Sequence, residues 1–187
     1  MDDKLVICLA GMPGSGKSIV VKVAKERGYD IVVMGDVIRE EAERRRLEPN
    51  PENLGKLMLE LRRSEGKAVI AKRCIPKIEK TAKSKVIVDG IRSLSEVEEF
   101  RESFPKFSFI AVHSSPETRF SRVYRRRRSD DPESWEVFRE RDMRELRVGL
   151  GNAMAMAEYV IVNEGELEAV KEKAREILRR VEEKWMR

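Results

Sequence analysis

Residues 11–18 read GMPGSGKS and match G-x-x-x-x-G-K-[ST] in full at Gly11, Gly16, Lys17 and Ser18. Glycines let the backbone curl so that successive N–H groups point into one concavity. A helix that starts there adds the positive end of its dipole. Met12, Pro13, Gly14 and Ser15 complete a loop suited to oxyanions. In such a loop Lys17 reaches the outer phosphates of a nucleoside triphosphate, and the Ser18 hydroxyl ligates Mg²⁺. The other metal ligand should be a carboxylate at the end of a neighbouring strand. "KVIVDG" supplies Asp89 in that place.

The elements that must position these groups follow from hydrophobic pattern. "KLVICLA" (4–10), "DIVVM" (30–34), "KVIVD" (85–89), "FSFIAVH" (107–113) and "YVIVN" (159–163) are short, continuously apolar and rich in β-branched residues, as parallel strands covered on both faces should be. Helices are expected from Gly16 to Arg27, from Asp36 to Arg46, and over "LGKLMLELRRSEG" with Gly66 as the stop. Another is expected over "AVIAKRCIPKIEKTAKS", with an irregularity at Pro76. The C-terminal segment puts Leu167, Val170, Ala174, Ile177, Leu178 and Val181 on one helical face. This alternation of strands and helices predicts one three-layer α/β domain over residues 1–187 with a five-stranded parallel sheet. The mostly polar residues 114–157 separate the last two strands, and helices projecting there would act as a lid over about 116–150.

Composition narrows the function. No apolar run approaches the length of a membrane helix. The acidic start "MDDKLVICLAG" does not read as a signal peptide, so a soluble, cytoplasmic protein is expected. Two cysteines, Cys8 and Cys74, and one histidine, His113, are too few for a zinc enzyme or a disulfide framework. The chain carries 39% charged residues and no glutamine, a composition suggestive of a thermophile. Lack of glutamine and of an N-K-x-D stretch argues against a switch GTPase. The net charge of +5 suits anionic ligands without establishing nucleic-acid binding.

From "GMPGSGKS" to "AEYVIVNEG" the chain resembles nucleotide kinases of the adenylate kinase and dephospho-CoA kinase type, most of all an archaeal group of adenylate kinase-related proteins designated UPF0200. The resemblance implies a P-loop NTPase fold, ATP and Mg²⁺, and transfer of the γ-phosphoryl of ATP to a nucleotide or other phosphorylated small molecule. "GDVIR" resembles the G-D-x-x-R stretch of that family, which places Asp36 and Arg39 at the acceptor phosphate. "DGIR" resembles D-G-x-x-R with one residue fewer and implies the same role for Arg92. The acceptor-binding helices would span about 36–83. In the lid, the resemblance assigns Arg119 and Arg122 to the donor phosphates and Arg139 or Arg141 to both nucleotides, with a basic run at Arg125 to Arg128 and "RSDD" beside them. Asn163 resembles the loop near the donor base, and reads equally well as a helix-start turn.

The chain departs from the family at Met34 and Glu96, where adenylate kinases read adenine with a threonine and a glutamine. A thioether and a carboxylate cannot present the same donors and acceptors, which argues against AMP as the acceptor. Two other readings stay open. In one, Asp36 is a general base for a hydroxyl acceptor, as in dephospho-CoA kinases. In the other, the chain is a nucleotide-dependent regulatory module with slow ATPase activity, binding RNA or protein through Arg125 to Arg128.

Overall fold

The computed structural model describes residues 4–126 and 131–186. Arg127 and Arg128 of the basic run, and Arg128 to Asp130 of "RSDD", lie outside the described residues. The five strands are β1 (Leu5–Ala10), β2 (Asp30–Val33), β3 (Lys85–Ile91), β4 (Lys106–His113) and β5 (Tyr159–Val162). They form one sheet in the order β2-β3-β1-β4-β5, and every pairing is parallel.

Successive strand residues serve opposite cores, which is why the runs are apolar throughout. Leu5, Ile7 and Leu9 meet Ile87, Ile110 and Val112 under α1 (Lys17–Glu26) and α9 (Leu167–Trp185). Val6, Cys8 and Ala10 meet Val86, Val88, Phe107 and Phe109 on the other face. That face is covered by α2 (Met34–Arg44), α3 (Pro51–Glu65), α4 (Val69–Lys80), α5 (Leu94–Ser103) and α8 (Leu150–Ala155). Between β4 and α8 come α6 (Pro116–Arg126) and α7 (Trp135–Val148).

Several expectations shift. Met34 opens α2 instead of closing β2, and it is buried there. α5 was not anticipated; Ser93 caps it, its hydroxyl accepting the Glu96 N–H. Pro76 sits inside α4, which continues to Lys80. Leu167, expected on the buried face of α9, is 55% exposed at the helix start, whereas Val170, Ala174, Ile177, Leu178 and Val181 are buried. Both cysteines are free and buried.

Two local clusters hold the helices that border the cleft. Glu41 of α2 is almost fully buried and accepts hydrogen bonds from Arg44, Arg45 and Arg73, joining α2 to α4. These donors, Arg44 foremost, push its carboxyl down to about 2. Between α6 and α7, Phe120, Trp135 and Phe138 pack with ring centroids 5.3–5.4 Å apart, an apolar core in an otherwise polar segment.

Candidate active site

The loop between β1 and α1 is shaped by what surrounds it. At Gly16 the backbone is left-handed, with φ of 94°, and an added Cβ would lie 2.1 Å from Asn163 Nδ2. At Gly14, also left-handed, it would lie 2.9 Å from the Arg119 carbonyl of α6. Glycine is required at both places by conformation and by contact. Met12 and Ser15 close the turn, the Ser15 N–H reaching the Met12 carbonyl at 3.0 Å.

Lys17 opens α1 and turns back, its Nζ 2.7 Å from the Gly11 carbonyl. Burial pushes its amine down, while Asp89 opposes that shift; Arg92, Glu145 and Arg141 add smaller effects. Asp89, two residues before the end of β3, is pushed up by burial, with Lys17 and Arg92 acting against it. Its Oδ1 is buried without a hydrogen-bond partner among the described residues. Ser18 is exposed on the first turn of α1. A desolvated carboxylate with a free oxygen, an exposed hydroxyl and an inward amine make a donor set that fits a polyphosphate with a hard cation.

β3 carries an irregularity that places the next residues. Opposite β1, Leu9 pairs with Asp89 and Ala10 pairs with Ile91, so Gly90 is an extra residue in the ladder, with φ of 110°. Such a bulge re-aims the side chains after it. Beyond it Arg92 turns its Nη1 to Glu145 Oε1 at 3.0 Å and lies 3.8 Å from Met58 Sδ of α3. On the adjacent strand, whose Val33 pairs with Asp89, α2 presents Asp36 and Arg39. These two pair with each other, both about half exposed.

The arginines of α6 divide. Arg119 is 3% exposed and bidentate to Asp142 of α7. It also donates to the Ser114 and Pro13 carbonyls and lies over the Phe138 ring. The expectation put its guanidinium on donor phosphates. Here that group is sealed in a buried pair and braces the phosphate loop through Pro13. Arg122 donates to Ser114 Oγ and to the backbone and side-chain oxygens of Asn163.

Asn163 is 2% exposed, and its Nδ2 donates to the Ser15 carbonyl at 2.8 Å. Its side chain therefore buttresses the loop. The neighbouring Glu164 accepts from Ser115 N–H and Thr118 Oγ1 at the start of α6. On α7, Arg141 is among the charges acting on Lys17, whereas Arg139 is exposed.

Sequence reasoning missed Asp142 and Glu145, which α7 brings to the cleft, and missed Arg62. Glu96, fully buried, accepts the Arg92 N–H at 2.8 Å and pairs with Arg62. It is thus committed to holding the turn after β3. Helices were expected over this stretch, but nothing in "RDMRE", where the two acids stand three residues apart, distinguishes them from solvated ones.

A family model described as an AAA domain matches residues 10–139. A UPF0200 protein of Hyperthermus butylicus is 49% identical over 178 residues, 95% of each chain. One of Thermococcus sibiricus is 44% identical over 181 residues, again 95% of each. Among solved structures, TT1252 of Thermus thermophilus aligns with a TM-score of 0.67 at 18% identity, over 96% of this chain and 98% of that one. A gluconokinase of Sinorhizobium meliloti aligns with a TM-score of 0.60 at 17% identity, over 98% and 97%. Likeness at such identities speaks for the fold, which is that of P-loop kinases. The chain belongs to the UPF0200 family and carries its phosphate loop on a P-loop kinase-like fold.

Proposed function

We propose that this protein is a Mg²⁺-dependent phosphotransferase that moves the γ-phosphoryl of ATP to a nucleotide or another phosphorylated small molecule. One observation carries the reading. β3 leads into Arg92, whose charge acts on both Lys17 and Asp89 and whose only ionic partner among the described residues is one oxygen of Glu145. A nucleotide-binding loop alone accounts for hydrolysis, whereas an arginine there, with Arg39 held only by exposed Asp36 on the helix after the adjacent strand, suits a second oxyanion.

In this assignment the backbone of Gly11 to Gly16 and the Lys17 amine hold the triphosphate. Ser18 and Asp89 would hold Mg²⁺, which supplies charge neutralisation between the outer phosphates. Arg39 and Arg92 orient the acceptor phosphate, whose oxygen forms the new P–O bond as the bond to ADP breaks. That oxygen is already ionised, so no base is required, and positioning with charge neutralisation carries the catalysis. α6 and α7 serve as the lid, with Arg122 on the donor side and Arg139 or Arg141 spanning donor and acceptor. Arg119 keeps the loop in shape from behind. We place the protein in the cytoplasm, consistent with described helices none of which is long and apolar enough to cross a membrane.

The test is ATP turnover against nucleoside monophosphates, dephospho-CoA and sugar phosphates, with products resolved by chromatography. At least one phosphorylated acceptor should be converted, and Arg39→Ala and Arg92→Ala should each reduce its kcat/KM by about 100-fold. If no phosphorylated compound is converted and both variants hydrolyse ATP like the parent, the acceptor site is not where we place it.

A further inference from the structure

Arg92 has a resident partner. α7 brings two carboxylates three residues apart to the same side of the cleft, and each takes one arginine. Asp142 holds Arg119 with both side chains sealed, at 9% and 4% exposure. Glu145 holds Arg92 differently, by one oxygen at 3.0 Å, with the arginine side chain 41% exposed and the glutamate 13%. The second Glu145 oxygen, Oε2, is buried with no hydrogen-bond partner among the described residues. A carboxylate so placed is incompletely satisfied, and its charge acts on Lys17 along with that of Asp89. α7 ends at Gly149, where φ is 114° and where a Cβ would lie 3.8 Å from the Arg92 carbonyl. Asp142 thus fixes α7 to the core while Glu145 is the exchangeable contact.

We propose that Glu145 gates the acceptor site: its carboxylate occupies the place on Arg92 that an acceptor oxyanion takes, and an acceptor must displace it to bind. The inference rests on the acceptor reading above. Any acceptor oxyanion must part Arg92 from a carboxylate that is already tethered there, a cost common to all acceptors. A phosphate dianion, with its second charge, meets that cost more readily than a carboxylate does. Polyphosphate in the cradle adds repulsion on Glu145 and favours its release.

The probes are inorganic phosphate and acetate, titrated calorimetrically at mildly alkaline pH into protein saturated with Mg²⁺ and a non-hydrolysable ATP analogue, which keeps the loop filled. Glu145→Gln should bind phosphate about fivefold more tightly, the effect of removing one partly exposed ionic competitor, and should gain less for singly charged acetate. A larger gain for acetate than for phosphate overturns the inference. Glu145→Asp, which keeps the charge but shortens its reach, should fall between. Phosphate affinity unchanged or weakened in Glu145→Gln, while Arg92→Ala abolishes it in the parent, overturns the inference and leaves the acceptor reading standing. Phosphate binding indifferent to Arg92→Ala overturns both. Loss of all transfer in Glu145→Gln with phosphate binding unaltered would make Glu145 a base, and also overturns it.

Discussion

Replacement of Asn163 by alanine separates two roles that its position after β5 allows. As a buttress, Asn163 contributes one buried hydrogen bond to the Ser15 carbonyl at 2.8 Å and accepts one from Arg122 at 3.1 Å. Truncation leaves the Ser15 carbonyl only a share of Ser114 Oγ at 3.3 Å, whose proton lies nearer the Asn163 carbonyl at 2.7 Å, while Arg122 keeps that carbonyl. One buried group loses its main partner and a small void opens beside Gly16, a cost of about 2–3 kcal/mol. For a chain of this length that corresponds to a melting point lower by roughly 4–12 °C. The loop amides would also lose their register, weakening ATP binding about tenfold. Differential scanning calorimetry with and without Mg·ATP reads both effects. Asn163→Asp is the sharper variant, because it turns an acceptor toward the Ser15 carbonyl and should be no better tolerated than alanine. If Asn163→Ala melts within about 1 °C of the parent and instead alters the preference between ATP and GTP, the residue reads the donor base and the buttress argument is wrong.

Two further outcomes follow from the same geometry. Asp142→Asn strips a buried guanidinium of its carboxylate and should cost about 3–5 kcal/mol in urea unfolding, much of which Arg119→Met with Asp142→Leu should recover; a single variant as stable as the parent would show that the pair is not desolvated. Nucleotide binding should be proton-linked with a definite sign. In the free protein burial holds the Lys17 amine below its ordinary value of 10.5, so the charged form is disfavoured, and phosphates restore it. ATP binding at alkaline pH should therefore take up a proton, and affinity should fall as pH rises through the depressed Lys17 value. Calorimetry in buffers of different ionisation enthalpy measures the uptake, which Lys17→Met should abolish; uptake persisting in that variant would place the proton elsewhere.

The phosphate loop, Asp89 and the strands were legible because local chemistry decides them. The loop needs glycines, and strands covered on both faces need unbroken apolar runs. α5 was legible in principle, since Ser93 and Glu96 stand at capping-box spacing, and the hydroxyl does cap the helix. Glu96 looked instead like a substituted base reader, and its burial beneath Arg62 could not be foreseen from residues 34 positions apart. The bulge at Gly90 depends on register with β1, which no short stretch records. Leu167 satisfied the helical period, but the core under α9 begins only at Val170, so periodicity overreached by one turn.

The arginines show most clearly where local reading ends. Sequence marks Arg39, Arg92, Arg119 and Arg122 alike as phosphate ligands, on the acceptor or the donor side, whereas the fold sorts them by what each must surrender to meet a phosphate. Arg119 would have to leave a bidentate carboxylate in a sealed interior, at a cost that an exposed phosphate contact does not repay. Arg39 would leave an exposed partner one helical turn away, worth roughly 0.3–0.5 kcal/mol, and is held back by almost nothing. Arg92 stands between, with a partner half committed to the same cleft. For the acceptor we propose, Arg39 is therefore available, Arg92 contested and Arg119 closed. That ranking is set by burial, which sequence spacing does not carry.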